Sequence, residues 1–284
     1  MKYNDILQSK MKKINRAIGE LEISFSEDGI SRLHCTAPLR AFGNDDGINE
    51  IPSAVIVNTS GGVVSGDRYD VTINVKKNSK GLILSQAADK IYKCLKNEYS
   101  EMNNLLNIDN NSWVEWIPQE TIMFENANLK RNLEVNLSTD SEALIGEIVV
   151  LGRLAKGERV NNITLMDTIK INRNKKIEWL DRVLLDGKVH CARNSNARLY
   201  GNNCFFTIAL SSVKISKYKD ILYKFIENNI NKIKISATIL HNNLIIRGLS
   251  KDPLLLRKEF SKIWCFIRSE FKKLAPVMPK LWWI

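Results

Sequence analysis

The residues best suited to chemistry are acidic and sit among glycines or apolar neighbours. Asp67 closes a turn-rich stretch, NTSGGVVSGD at 58–67, in which Gly61, Gly62, Gly66 and Asn58 all tolerate unusual backbone angles. Gly61 and Gly66 have the spacing of a phosphate-binding loop, but Asp67 and Arg68 stand where its lysine and hydroxyl belong. A carboxylate at that point repels phosphate, so nucleotide binding is set aside. A strand pattern rather than a helix follows Gly66, which removes the dinucleotide fingerprint as well. The plain reading is a strand–turn–strand corner where backbone passes close to backbone.

Further along, Glu115, Glu120 and Glu125 punctuate WVEWIPQETIMFENANL at 113–129. Glu147 interrupts ALIGEIVVLG at 143–152, and Glu158 ends GRLAKGE. A glutamate among such neighbours is costly to bury unless it is paired or bound to a cation. Arg153 or Lys156 is the expected partner of Glu147. With Asp67, these carboxylates suit a polar path for a hydrated divalent cation. The histidines are His34, His190 and His241, and none lies in a metalloprotease, triad or nucleophile-elbow pattern. His34-Cys35 and His190-Cys191 are adjacent dipeptides. Read as strand neighbours they point to opposite faces, so neither pair chelates one metal unaided. A metal site shared between the two pairs stays open. Catalysis needs a constellation, and none assembles from these residues.

These residues are carried by a period-two body. From about residue 19 to 213 short apolar alternations recur: Leu21, Ile23 and Phe25; Tyr69, Val71, Ile73 and Val75; Leu133, Val135 and Leu137. Ile163, Leu165, Ile169 and Ile171 share one phase, with Asp167 its only polar interruption. Turn signals such as Asn110-Asn111, Asn161-Asn162 and Asp186-Gly187 separate the segments. The pattern predicts a mainly β protein, an irregular stack or sandwich of many short strands, with no exact repeat to prove a solenoid. The period then changes. Ile221, Leu222, Phe225, Ile226 and Ile230 mark one helix. Strands follow at 234–240 and 244–249. A second helix starts at an Asp252 cap with Pro253 in its first turn, and carries the stripe Leu256, Phe260, Ile263, Trp264, Ile267, Phe271 and Leu274. The chain closes on Leu281-Trp282-Trp283-Ile284, a tail that folds back or docks on a partner.

With 284 residues, the chain reads as one domain over 1–284. No apolar run approaches the ~20 residues of a membrane span, and no secretory signal opens the chain. Five cysteines without CxxC spacing point to a reduced, cytoplasmic protein. The net charge of +11 admits acidic protein partners or nucleic acid. The lysines are scattered rather than clustered with aromatics, and a basic nucleic-acid-binding β protein remains the alternative reading.

Several blocks occur together in a familiar order: LHCTAPLRAF at 33–42, NTSGGVVSGDRYDVTI at 58–73, QAADKIYKC at 86–94, WVEWIPQETIMFENANL, EIVVLGRLAKGE at 147–158 and PKLWW at 279–283. In these the chain resembles the urease accessory protein UreD family, also called UreH, over nearly its whole length. Ser60 stands where the family often has proline. Tyr92-Lys93 stands where it has an aromatic-Arg pair, and lysine lacks the bidentate geometry of arginine. The resemblance implies a helical stack of strands with two helices and a non-enzymatic chaperone of nickel insertion. It implies assembly with a UreF-like helical protein and a UreG-like GTPase on apo-urease, without nucleic acid or membrane. No tightly bound cofactor is implied, only transient nickel. Under that reading Asp67, Glu120, Glu147 and Glu158 are weak, transient nickel ligands. Trp264, Trp282, Trp283 and Ile284 are expected to bind the partner.

Overall fold

The computed structural model describes residues 16–44, 50–95 and 98–283. The chain begins with β1 (Ile18–Ser26), β2 (Gly29–Cys35), β3 (Leu39–Asn44), β4 (Ser53–Asn58), β5 (Arg68–Val75) and β6 (Lys80–Ser85). Next come β7 (Asp89–Ile91), β8 (Ser100–Ile108), β9 (Trp113–Ile117), β10 (Thr121–Met123), β11 (Asn128–Leu137), β12 (Glu142–Leu151), β13 (Asn162–Arg173) and β14 (Lys176–Lys188). The last third adds α1 (Val189–Asn194), β15 (Cys204–Ser211), α2 (Lys219–Asn229), β16 (Lys234–Leu240), β17 (Asn243–Ser250) and α3 (Pro253–Lys272).

The strands form two sheets. One has the order β14-β13-β11-β8-β5-β1-β2. The other runs β16-β17-β15-β12-β9-β6-β4-β3, with β10 and β7 attached beside β12. From β5 to β13 the chain winds from one sheet to the other and back, so neighbours β5, β8, β11 and β13 are all parallel. Strands β6, β9 and β12 stack the same way in the second sheet. The period-two body is mainly β, as the alternation predicts, and its strands wind as a solenoid-like coil, which the alternation left open.

The coil has a sequence signature that composition conceals. On the outer face of the first sheet Asn107 Nδ2 donates to Asn74 (3.0 Å), Asn136 to Asn107 (3.1 Å) and Asn172 to Asn136 (2.8 Å). The intervals are 33, 29 and 36 residues, one turn of the coil each. A second ladder runs Asp70–Asn103–Asn132 with the first two of those intervals. Each amide gives to one neighbour and accepts from the next, which parallel in-register strands permit. Replacing the half-buried Asn107 with alanine removes two bonds and is expected to destabilise by about 1–2 kcal/mol in chemical denaturation.

The second sheet is the middle of three layers. Every residue of β9, β12 and β15 is buried, because one face meets the first sheet and the other meets α2 and α3. Ile23, Ile73, Val135, Ile145 and Leu165 fill the inter-sheet core. Leu82, Trp113, Leu144, Ile148, Phe206, Phe260 and Trp264 fill the outer one. Gly146 lets α3 sit close on β12, since a Cβ there would lie 2.4 Å from Phe260 Cζ. The α3 cap is as expected: Asp252 accepts from the amides of Leu254 and Leu255. α1 is not predicted by the sequence. It places His190 and Cys191 on a helix rather than a strand, both exposed and in contact at 3.4 Å. Among the described residues no helix is long and apolar enough to cross a membrane.

Candidate functional site

The inward-facing phase of the first sheet is mainly apolar, and its charges fall in one row, with the amide of Asn104 in the next. In the charged row Tyr69, Met102, Arg131 and Asp167 are register partners on β5, β8, β11 and β13. Arg131 is 2% exposed and makes a bidentate pair with Asp167, Nε to Oδ1 at 2.9 Å and Nη2 to Oδ2 at 2.6 Å. Its Nη1 crosses to the second sheet and donates to Glu147 (2.6 Å) and Thr121 (2.8 Å). Trp116 Nε1 donates to the other oxygen of Glu147 at 2.8 Å. The Arg131 guanidinium therefore fastens the sheets together through charge-assisted bonds.

A cavity of about 130 Å³ opens beside this pair, with Tyr69, Asp89, Asn104, Trp116, Arg131 and Glu147 in its wall. Asp89 lies on β7 opposite Thr121 of β10. Its backbone N–H donates to the Glu120 carbonyl at 2.9 Å. Three carboxylates, Asp89, Glu147 and Asp167, thus share one guanidinium, a formal excess of two negative charges. Burial raises the Asp89 pKa to about 6, with Glu147 adding to the rise and Arg131 opposing it. Burial raises Glu147 as well, against the pull of Arg131. For Arg131 burial opposes the charge, but Asp167 and Glu147 outweigh it and its pKa rises.

The raised Asp89 has a stability consequence. Between its unfolded pKa near 3.8 and about 6 the folded state holds a proton that the unfolded chain has released. Stability therefore falls as pH climbs through that window and stays lower above it. Asp89→Asn removes the penalty. The variant is expected to melt above the parent at pH 7.5, with the difference closing towards pH 4; equal gaps at both pH values would show that Asp89 is ionised without cost.

The acidic residues singled out in the sequence occupy four different settings. Glu147 faces the cavity, paired with Arg131 rather than with Arg153 or Lys156. Asp67 is 3% exposed and holds the glycine turn: Oδ1 accepts from the Ala17 amide and Oδ2 from the Val64 amide, each at 2.9 Å. It approaches the cavity through the Tyr69 hydroxyl at 3.4 Å. Glu120 accepts from Arg257 Nη1 at 3.0 Å with both oxygens. Glu158 lies away from these, bound to Arg153, whose side chain and amide hold its pKa down. The structure thus brings Glu147 and, through Tyr69, Asp67 to one cavity. Glu120 touches it through its backbone, and Glu158 joins none of them. Among the described residues no cluster of three or more His, Cys, Asp or Glu side chains is arranged to hold a metal.

The aromatic residues divide. Trp264 and Trp282 are fully buried. The tail folds back, with the Leu281 carbonyl on Gln119 Nε2 (2.9 Å) and the Arg257 guanidinium 4.3 Å from the Trp282 ring centre. Trp283 stays 50% exposed, and Ile284 lies outside the described residues. Trp264 instead serves a second buried pair. Glu115 and Arg268 are both 0% exposed and meet at 2.9 Å, and Glu115 also accepts from the Trp113 and Trp264 indoles at 3.0 and 3.1 Å.

Arg131, Asp89 and Arg268 escape sequence reasoning. A signal exists for the first: Arg131 stands in the inward phase between Leu129 and Leu133, as Asp167 does between Leu165 and Ile169. Two opposite charges in two buried phases predict each other once the strands are known to be neighbours.

The family model described as UreD urease accessory protein matches residues 17–283. The chain belongs to that family. Among its relatives, the urease accessory protein UreD of Magnetococcus marinus is 29% identical over 256 residues, covering 89% of this chain and 88% of that one. UreD 3 of Methylorubrum extorquens is 27% identical, covering 92% and 82%. UreD of Rhizobium leguminosarum bv. viciae is 31% identical, covering 81% and 80%. UreD membership supports a role in urease maturation, and the buried acidic cavity is a feature of a UreD-family chain.

Proposed function

We propose that this UreD-family chain is a non-enzymatic urease maturation chaperone. It assembles with a UreF-like helical protein and a UreG-like GTPase on apo-urease, and passes nickel towards the urease site through the cavity between its sheets. The observation that carries the reading is the acid excess around that cavity. Asp89 and Glu147 offer oxygen donors, already shared with Arg131. A cargo ion has to be held strongly enough to enter and weakly enough to leave. Oxygen donors of this kind bind nickel more loosely than a cage of thiolates and imidazoles. Asp67 reaches the cavity wall through the Tyr69 hydroxyl and Glu120 through its carbonyl on the Asp89 amide, while Trp283 is the exposed aromatic available for docking.

The experiment is a complete urease gene cluster from which this gene alone is deleted and then restored. Restoration is expected to return urease activity and nickel content. Full loading after deletion would end the chaperone reading. Restoring instead Asp89→Asn/Glu147→Gln is expected to lower the nickel content of urease at least fivefold while the chain still co-purifies with its accessory proteins. Normal loading by that variant would end the conduit reading alone.

A further inference from the structure

Each sheet has two edge strands, β14 and β2 in one and β16 and β3 in the other. Among the described residues β14 pairs only with β13, and β16 only with β17, so each presents a row of unpaired backbone groups. β14 has thirteen residues and no proline, and displays Ile177, Leu180 and Leu184 at 59%, 52% and 53% exposure. Between β14 and the second sheet lies a groove of about 300 Å³. Buried Leu185, Leu199 and Phe205 form its floor, and exposed Arg182 and Arg198 stand at its rim.

The charges there are unbalanced. The β14 carboxylates are engaged within the chain: Glu178 with Arg173, Asp181 with Arg247 and Asp186 with the Thr164 hydroxyl. The cations are not. Among the described residues Arg182, Lys188 and Arg198 have no carboxylate partner. In α1, which follows directly, Arg193 buries Nε and Nη2 without an acceptor, and burial together with Arg159 lowers its pKa. The surface is apolar at its base and has positive charge to spare. Residues 1–15 of the chain carry Lys2, Lys10, Lys12 and Lys13 against Asp5, a net positive charge that does not complement this surface. A second copy, at net +11, brings the same sign.

We propose that this groove docks an acidic, extended segment of a partner protein. The segment adds along the open edge of β14, sets apolar side chains on the Leu185–Phe205 floor, and places carboxylates against Arg182 and Arg198. Backbone pairing supplies affinity in such an arrangement, alternate side chains supply selectivity, and charge sets the approach rate.

The test uses the full chain and a fluorescein-labelled ten-residue peptide of alternating glutamate and valine, read by anisotropy. Binding is expected to weaken with salt. It is expected to fall at least tenfold in Arg182→Glu/Arg198→Glu, both exposed and outside the core, with folding checked by circular dichroism. Lys76→Glu/Lys77→Glu, on the turn after β5, makes the same change of charge and is expected to bind within twofold of the parent. N-methylating alternate residues along one edge of the peptide is expected to abolish binding, and along the other edge to spare it. Equal losses in the two double variants would reduce the effect to general attraction by a basic chain and overturn the proposal. So would equal binding of a glutamine–valine peptide, or duplex DNA that binds more tightly and depends on Arg182. A chain without residues 1–15 that binds tenfold tighter would also overturn it, because the occupant would then be the chain's own N-terminus.

Discussion

Arg131→Met is expected to lower the melting temperature by roughly 10 °C at pH 8. Removing one partner of a buried ion pair costs about 3–5 kcal/mol, and each kcal/mol moves a protein of this size by about 2–4 °C. The physical reason is on both sides of the inter-sheet layer. Without the guanidinium, Asp167 and Glu147 lose their bonds at 2.6 Å, and three carboxylates face one another with no cation. Asp89 and Glu147, already raised by burial, lose the cation that opposes the rise, so the folded state takes up protons that the unfolded chain does not hold above pH 5. The deficit should therefore be largest at pH 8 and shrink towards pH 5. A deficit that ignores pH would mean that methionine packs badly and that charge is not the cause. Replacing the whole group, Arg131→Met/Glu147→Leu/Asp167→Leu, should recover more than half of the loss, because a buried ion pair is often matched by apolar side chains of similar volume. Such a variant would be stable and, on the proposed function, unable to support nickel loading, which separates the structural duty of the network from its chemical one.

Glu115→Ala should do comparable damage at the other core. One carboxylate there serves Arg268 and two indole N–H groups, all fully buried. Alanine leaves a buried cation and two unpaired donors, a loss of about 4 kcal/mol or more. The effect should also spread along the chain. Arg268 Nη1 donates to the carbonyls of Ala275 and Val277 at 3.0 Å, and so holds the segment after α3. Limited proteolysis should cut the variant between 273 and 283 while the sheets remain protected. Glu115→Leu/Arg268→Met should be less harmful than the two single losses added together, since it removes both charges. Additive losses would show that the pair does not act as a unit.

Much of this architecture is legible in the sequence because each part rests on local periodicity. The strands around Leu133 and Ile169, the helix capped by Asp252 and the strands at 234–240 and 243–250 all stand where alternation and capping put them. The coil was harder to read. Its repeat lies in single asparagines 33, 29 and 36 residues apart, an interval that varies with turn length and hides in an asparagine-rich chain. The site was legible only in part. Glu147 announces itself as a carboxylate in an apolar run, but its partner comes from a strand sixteen residues earlier in the opposite sheet, and nothing local selects Arg131 over Arg153. Asp89 gives no warning, since it opens a strand of three residues, too short to show a phase. α1 is missed because six residues carry too little periodicity to separate a helix from a strand end.

The layering has a consequence for how the protein is made. Rungs β5 to β13 are laid down in the order of synthesis, each beside the one before, so the coil can wind as the chain emerges. The second sheet cannot be finished that way. Its outer face, with Leu144, Ile148 and Phe206, waits for α3 and Trp282, which follow all the strands in the chain. Until then a broad apolar surface faces water, where unfinished sheets associate with one another. Truncation anywhere before residue 253 makes that interval permanent, and a nascent-chain helper that shields this face would raise the yield of folded protein more than any change to the coil itself.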